Sequence, residues 1–257
     1  MLGKVKTIWH RLLRSQFVKS VYKTPWPRTR RGRMLAVLGS LPLHLHAARI
    51  RRHGLHFRFT WCMGGISFFL FLLLTVTGVL LMFYYRPTVD HAYADMKALR
   101  YDVPFGVVLR NLHRWGAHAM VITVMLHMLR VFLTGSYKPP RQFNWVVGVT
   151  LLVLTLLLSF TGYLLPWDQL SMWAITVGTN MAAATPLLGH EGPFHEWLGV
   201  RPDNDVRFML LGGRTVGQNA LLRFYVLHCV AIPLVAGALM ALHFWRIRKD
   251  GGISGPL

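Results

Sequence analysis

The stretch HRWGAHAMVITVMLH, residues 113–127, begins and ends with histidine and is largely apolar between them. Fourteen steps of an α-helix make four turns less about 40°, so His113 and His127 face the same way, about 21 Å apart along the axis. Ionisable side chains are costly inside a lipid bilayer, and those found there are candidates for function. The stretch therefore predicts a membrane-spanning helix with two functional imidazoles on one face.

The rest of the chain repeats this apolar character. Of its 257 residues, 53% are hydrophobic and only 15% are charged. Four runs are long enough to cross about 30 Å of hydrocarbon as helices, at 59–85, 105–134, 143–165 and 220–245. The sequence predicts an all-α, polytopic membrane protein built as a four-transmembrane-helix bundle.

The net charge of +20 is distributed unevenly. Residues 1–58 contain fourteen Lys or Arg and no acid, whereas eight of the nine acids fall between the first and second runs or between the third and fourth. Four spans place both termini on one side, and the Lys/Arg excess predicts that this is the cytoplasmic side. We call it the n side and the opposite side the p side. The basic charge is attributed to this topology rather than to nucleic-acid binding.

Two regions outside the spans stand out. Residues 1–56 are predicted to form a basic n-side arm, with an amphipathic helix in KVKTIWHRLLRSQFVKSVYK, residues 4–23, lying on the membrane surface and a linker that follows it in TPWPRTRRGR, residues 24–33. A transit peptide has a similar composition and remains an alternative for this arm. Residues 57–257 are predicted to form the four-helix bundle, with a long, acidic p-side insertion at about 186–214.

The fourth run carries a second pair of histidines, His228 and His243, fifteen positions apart. In a regular α-helix they are about 22 Å apart and offset by about 60° in the opposite sense. The second and fourth spans run in the same direction, so His113 and His228 are predicted near the p side, and His127 and His243 near the n side. His118 points to a different face.

Paired imidazoles at two depths could simply pack by hydrogen bonding, but the matched spacing favours cofactor sites. Zinc or copper usually requires three or four ligands at a site. Two imidazoles on opposite sides of a flat cofactor are typical of low-spin haem. The histidines therefore predict two haem sites stacked across the membrane.

Glycines repeat the histidine spacing on the other two runs. Gly64 and Gly78 are fourteen positions apart in the first run, and Gly148 and Gly162 are fourteen apart in the third. Glycine lets backbone approach a porphyrin closely, although small residues also serve ordinary helix packing in membranes. We interpret the two pairs as clearance for haem.

Arginines lie beside the histidines of the second run. Arg110 and Arg114 flank His113, and Arg130 follows His127 by three positions. The guanidinium fork binds carboxylates such as haem propionates. These side chains could instead reach lipid phosphates at the membrane surface. We predict propionate contacts for Arg110 and Arg130 first, and then for Arg114.

These residues resemble the cytochrome b family in its b6 type, over nearly all of residues 57–257. The matching stretches are FYYRPTV at 83–89, HRW at 113–115, TGYLLPWDQ at 161–169, RFYVLH at 223–228, HF at 243–244 and ISGPL at 253–257. The resemblance implies two b-type haems with the four histidines as axial ligands. It also implies a subunit of a quinol oxidoreductase complex that carries electrons from p-side quinol oxidation to n-side quinone reduction and contributes to proton translocation.

The resemblance gives a meaning to Cys62 in WCMGGIS, residues 61–67. It implies a covalently attached c-type haem (cn, also called ci) on the n side, held by one thioether bond. From the residues alone, a single cysteine in an apolar segment is usually a small buried hydrophobe. Arg248 and Lys249 match the family's n-side basic pair near this haem and the quinone-reducing site.

The resemblance also implies partners: a subunit carrying the C-terminal part of cytochrome b, a Rieske iron–sulfur protein and a c-type cytochrome, in a dimeric complex. The chain itself carries no assigned catalytic residue and is expected to be inactive alone. Its GYLLPWDQLSMW segment, 162–173, would form one wall of the p-side quinol site. The long arm and p-side insertion favour a bacterial cytoplasmic membrane.

Two other functions remain as alternatives. A dihaem anchor of a dehydrogenase or hydrogenase could exchange electrons with quinone through a similar bundle. The two matched histidine pairs and the TGYLLPWDQ segment argue against it. A haem-free assembly or transport subunit would use the histidines only for packing. It would lack b-type absorbance in a reduced-minus-oxidised spectrum.

Overall fold

The computed structural model describes residues 27–39, 52 and 56–252, and this part of the chain contains helices and no strands. The helices are α1 (Arg30–Gly39), α2 (Phe57–Thr60), α3 (Met63–Met82), α4 (Ala92–Tyr101), α5 (Gly106–Leu133), α6 (Gln142–Leu164), α7 (Gln169–Ala183), α8 (Val206–Leu211) and α9 (Gln218–Lys249), with a 3₁₀ turn at His195–Leu198.

Four of these helices, α3, α5, α6 and α9, are long and apolar enough to span a membrane. They coincide with the four predicted runs to within a few residues at most ends. Large apolar side chains such as Phe69 and Leu234 remain 61% and 69% exposed on the outside of the bundle. That exposure is expected where lipid rather than water surrounds the helices. The prediction of an all-α, four-span membrane protein is confirmed.

The spans pack as antiparallel neighbours, with α3 against α5, α5 against α6, and α6 against α9. The main apolar core does not lie at mid-membrane. It lies at the p-side end, where α7 and α8 pack on the ends of α6 and α9 through Leu164, Ile175, Leu211, Ala220 and Phe224. The interior of the bundle is occupied by a cavity instead.

Polar contacts fix the connections on the p side. Arg86 binds the buried carboxylate of Asp95 at 2.6 Å, and the Tyr85 hydroxyl donates to the backbone oxygen of Leu165 at 2.6 Å. The hydrogen bond from Arg86 holds the pKa of Asp95 below its usual range. Asp168 caps α7 by accepting from the backbone N–H of Ser171 at 2.8 Å. The p-side ends of the spans are therefore held by charge-assisted bonds.

Contacts within the p-side insertion, about residues 186–214, hold its two ends together. Asp205 is fully buried, caps α8 by accepting from the Phe208 N–H at 2.7 Å, and lies 2.5 Å from Nδ1 of His190. Burial acts to raise the pKa of Asp205, but the hydrogen bonds from His190 and Phe208 outweigh it and lower the pKa. A buried carboxylate with two such donors pins the base of the loop.

Parts of the N-terminal arm differ from expectation or fall outside the description. The amphipathic helix was predicted within residues 1–26, which lie outside the described residues. The segment TPWPRTRRGR, predicted as a linker, instead contains the start of α1 at Arg30. Its arginines allow a helix because they are good helix formers, and the last proline, Pro27, lies before the helix begins.

Candidate functional site

Helix α9 departs from a regular α-helix at its first histidine. Residues Leu227–Ala231 form a π-helical turn that contains His228. Pro233 follows, and because proline lacks an N–H it cannot donate to the carbonyl four residues before it, which favours a wider turn. The prediction of a regular helix with a 60° offset is therefore wrong. The π turn accommodates one extra residue. His228 and His243, fifteen positions apart in α9, therefore face the same way, as His113 and His127 do fourteen positions apart in α5.

The corrected register brings the four imidazoles together in two pairs. The ring centres of His113 and His228 are 6.3 Å apart with an angle of 75° between the planes. Those of His127 and His243 are 6.5 Å apart with an angle of 80°. A metal ion with one imidazole nitrogen at about 2 Å on either side needs ring centres about 6 Å apart. Both pairs therefore have the separation that two axial ligands need.

Each imidazole rests against one of the four glycines. A Cβ atom at Gly162 would lie 2.5 Å from Cε1 of His228, and one at Gly78 would lie 3.2 Å from Cε1 of His113. On the n-side pair the clearances are wider, 3.4 Å for Gly64 against His127 and 3.7 Å for Gly148 against His243. The glycines that were predicted to leave room for haem therefore leave room for the edges of the imidazole rings.

Hydrogen bonds orient the p-side pair. Nδ1 of His113 lies 2.8 Å from Oγ1 of Thr77, whose own hydrogen is donated to the backbone oxygen of Leu73 at 2.8 Å. Nδ1 of His228 lies 3.1 Å from the backbone oxygen of Leu158. Both neighbours can only accept, so each Nδ1 carries the proton and each Nε2 presents a lone pair. Partners of this kind orient metal-binding histidines.

A single elongated cavity of about 600 Å³ joins the two pairs. Its walls are mostly apolar, and they include all four histidines, three of the four glycines (Gly64, Gly78 and Gly148) and Cys62. Among the described residues, no three His, Cys, Asp or Glu side chains come together as a metal site. Two nitrogen donors per site, an apolar wall and glycine clearance fit a flat cofactor that brings its own equatorial ligands, as haem does.

The predicted arginines divide between the wall of this cavity and the surface. Arg130 lines the n-side end of the cavity. Arg110 is half-buried and Arg114 is exposed, and neither lines it. Sequence reasoning missed Arg141, which lines the same end and keeps its Nε buried without a hydrogen-bond partner. No spacing pattern in the sequence links Arg141 to the histidines.

Cys62 lies where the chain turns into α3. It is the N-cap residue, in the left-handed conformation with φ of 50°, and its thiol is free and exposed at the n-side end of the cavity. A Cβ atom at Gly65 would lie 2.8 Å from the Cys62 sulfur, so a larger residue there would force the thiol to shift. Because Cys62 is exposed and lines the cavity, it does not fill a packed helix interface.

The two other basic residues predicted on the n side do not line the cavity. Lys249 is exposed, with its ammonium 5.0 Å from the centre of the Trp245 ring, and Arg248 is half-buried. Ile247 and Gly252 line the cavity from the same segment. The assignment of Arg248 and Lys249 to an additional haem remains a prediction.

Comparisons with known proteins agree with the geometry. The protein family described as Cytochrome b/b6/petB matches residues 53–251. The chain is 43% identical over 202 residues to cytochrome b6 of Gracilaria tenuistipitata var. liui, covering 79% of this chain and 87% of that protein. Identity to cytochrome b6 of Synechococcus sp. (strain WH7803) is also 43% over 202 residues, covering 79% and 86%.

A solved structure supports the same assignment. A chain of a hyperthermophilic respiratory Complex III superposes with a TM-score of 0.65 at 29% identity. The match covers 75% of this chain and 48% of that chain, so this protein spans about half the length of that neighbour. With the family match over most of its length, this chain belongs to the cytochrome b/b6 family.

Proposed function

We propose that this chain is the haem-bearing membrane subunit of a quinol oxidoreductase complex. It carries electrons from quinol oxidation on the p side to quinone reduction on the n side and contributes to proton translocation. The observation that supports this most directly is the stacking of two imidazole pairs in one cavity, about 21 Å apart by helix rise. Membership of the cytochrome b/b6 family implies b-type haem.

The four histidines would hold two b-type haems, His113 with His228 on the p side and His127 with His243 on the n side. Bound haem supplies a one-electron carrier at each depth, and the protein supplies ligation, spacing and electrostatics. Thr77 and the Leu158 carbonyl keep the p-side imidazoles protonated on Nδ1, so that Nε2 is available. The apolar wall excludes water from the path between the two sites.

Positive charge would neutralise the propionates of these haems. Arg130 is supported by its place in the n-side wall of the cavity. Arg110, one turn before His113, and the exposed Arg114 are the candidates on the p side. Carboxylate binding by a guanidinium is bidentate and therefore also fixes the orientation of the ligand.

The proposed partners are a subunit IV-like protein with the C-terminal part of cytochrome b, a Rieske iron–sulfur protein and a c-type cytochrome, in a dimeric complex in membrane lipid. The structural neighbour is titled a respiratory Complex III, which supports a multi-subunit assembly. The alternative, a dihaem anchor of a dehydrogenase or hydrogenase, is less well supported because both comparisons lead to cytochrome b6 or Complex III.

The ligand assignment predicts the result of removing one imidazole. Changing His228 to Leu should abolish one of two b-type haems and leave the n-side haem, because His127 and His243 are untouched. Pyridine haemochrome content and reduced-minus-oxidised spectra of the purified protein measure this. Two reducible b haems with unchanged spectra in the variant would contradict the pairing.

The glycine contacts predict a graded effect on the two haems. Gly162→Ala places a methyl group 2.5 Å from the His228 ring, which cannot swing aside while it ligates iron, so the p-side haem content should fall severalfold. Gly148→Ala is the matched control, because its methyl group would make an ordinary 3.7 Å contact with His243. Equal haem loss in the two variants would contradict this role for Gly162.

We further propose that Cys62 binds an additional c-type haem covalently near the n-side quinone site, with Arg248 and Lys249 supplying positive charge nearby. The support is the open position of the thiol at the cavity end. The thiol would add across a haem vinyl group to form one thioether. The four histidines are already used, so the iron of this haem would lack a strong side-chain ligand.

Covalent attachment predicts that haem survives denaturation. A denaturing gel stained for haem peroxidase activity should show a band at the mass of this subunit. Cys62→Ser should abolish the band while both b haems persist, because the four proposed axial histidines are unchanged. An undiminished band in the Ser variant, or none in the wild type, would exclude attachment at Cys62.

We propose that the chain lies in a bacterial cytoplasmic membrane with both termini on the cytoplasmic side, and that residues 1–56 form a basic n-side arm before the haem domain at 57–257. The support is the charge asymmetry of the loops. In sealed right-side-out vesicles, added protease should cut the insertion at 186–214 and neither terminus. Cleavage of the arm from the outside would reverse the orientation.

A further inference from the structure

The p-side insertion presents an aromatic pair to the outside of the protein. The rings of Phe194 and Trp197 lie 4.6 Å apart and are tilted by 38°, yet the two residues are 55% and 76% exposed. Leu198 beside them is 62% exposed. Large apolar side chains that pack on each other and still face outward are typical of a contact surface.

A groove of about 520 Å³ lies along this pair. One continuous stretch, residues 191–197, forms its walls, so it is separate from the cavity that contains the four histidines. Glu191 and Glu196 line it together with both aromatic residues, and both glutamates are exposed. Carboxylates and aromatic rings are the groups that bind a lysine or arginine side chain.

The charge of this stretch is negative. Residues 186–200 contain Glu191 and Glu196 and no Lys or Arg. His190 is close, with Nε2 3.6 Å from Oε1 of Glu191, but its Nδ1 is bonded to the buried carboxylate of Asp205 at 2.5 Å. Asp205 therefore balances any positive charge on this imidazole, and the two glutamates leave the groove negative.

The backbone holds the groove in one shape. Phe194 and Gly199, with φ of 65° and 62°, bracket the 3₁₀ turn at His195–Leu198. A left-handed conformation is uncommon for an aromatic residue and persists where the surrounding structure fixes it. The N–H of Glu191 donates to the backbone oxygen of Ala183 at 3.0 Å, which ties the groove to the end of α7. A surface that is already formed loses little conformational entropy when a partner binds.

The charges favour a protein partner over a membrane surface. Exposed aromatic residues are common at the membrane–water interface, where Lys and Arg beside them meet lipid phosphates. Here the aromatic pair is accompanied by Glu191 and Glu196, which phosphates repel. The same carboxylates attract a protein surface that is rich in Lys or Arg.

We propose that this groove is a p-side docking site for a protein that places a Lys or Arg side chain against Trp197 and the two glutamates. The inference rests on the proposed function, in which a c-type cytochrome is a partner, and it assigns that cytochrome a basic contact face. Trp197 is the anchor that loses its water on binding, and Phe194 supports its ring. Glu191 and Glu196 steer the approach of the partner.

The purified complex in lipid nanodiscs tests this through its affinity for a lysine-rich c-type cytochrome, measured by surface plasmon resonance at low and high salt. The same cytochrome with acetylated lysines is the uncharged probe. The variants are Trp197→Ala and the double change Glu191→Gln with Glu196→Gln. The matched controls are Tyr101→Ala, which removes a 73% exposed aromatic residue of the other p-side loop, and Asp102→Asn, which removes an exposed acid there.

At low salt, Trp197→Ala should raise the Kd of the cytochrome at least about tenfold, because it removes the anchor. The double glutamine variant should raise the Kd about fivefold and remove most of its salt dependence. Both controls should stay within about twofold of the wild type. Haem content and the reduction of b haem by quinol should not change, because the groove is separate from the histidine cavity.

Wild-type affinity in the Trp197→Ala variant, equally tight binding of the acetylated cytochrome, or a wild-type complex that binds neither form would overturn the inference. Quenching of Trp197 fluorescence by brominated phospholipid, measured as the difference from Trp197→Phe, would assign the groove to the membrane surface and overturn it as well. A wild-type complex whose b haem is not reduced by quinol would instead refute the proposed function and leave the binding result unchanged.

Discussion

The contact between each imidazole and a glycine of a neighbouring span is the constraint on which the rest of the structure depends. A Cβ atom at Gly162 would overlap the His228 ring at 2.5 Å, and the corresponding distance for Gly78 and His113 is 3.2 Å. The p-side rings reach the middle of the bundle because the neighbouring helix has no side chain at Gly78 or Gly162, whereas the n-side clearances of 3.4 Å and 3.7 Å are ordinary contacts. Helices α3 and α6 must therefore hold the same register as α5 and α9, and the fourteen-residue repeat follows from that requirement.

The π turn in α9 shows how strictly that register is kept. A regular helix with its two histidines fifteen positions apart would rotate one ring away from its partner. The five residues Leu227–Ala231 absorb the extra position, and Pro233 favours this by withdrawing one backbone donor. Irregular backbone inside a membrane is tolerated when it lines a cavity and its polar groups are satisfied, and both His228 and Cys229 line the cavity here.

Much of this arrangement could be predicted from the sequence because it is periodic. Long apolar runs, histidine pairs fourteen and fifteen positions apart and glycine pairs fourteen apart can each be interpreted through helix geometry, and the structure contains all of them. The π turn, the left-handed Cys62 and the cavity-facing Arg141 could not be predicted in the same way. Each depends on a local backbone conformation or on the packing of a loop end, and neither leaves a repeat in the sequence. The hydroxyl of Thr77 was missed because threonine is common in membrane helices, where it usually bonds its own backbone.

The two ends of the bundle differ in polarity. At the p-side end of the bundle lie the apolar core around Leu164 and Phe224 and the contacts of the buried Asp95 and the half-buried Asp168. At the n-side end, polar atoms of Arg141, Asn144 and Asp250 are buried without hydrogen-bond partners. Unsatisfied polar groups in an apolar setting are stable only with water or a polar ligand, so this end is built to admit them. The cavity therefore ends in polar groups at the n side and in packed apolar side chains at the p side.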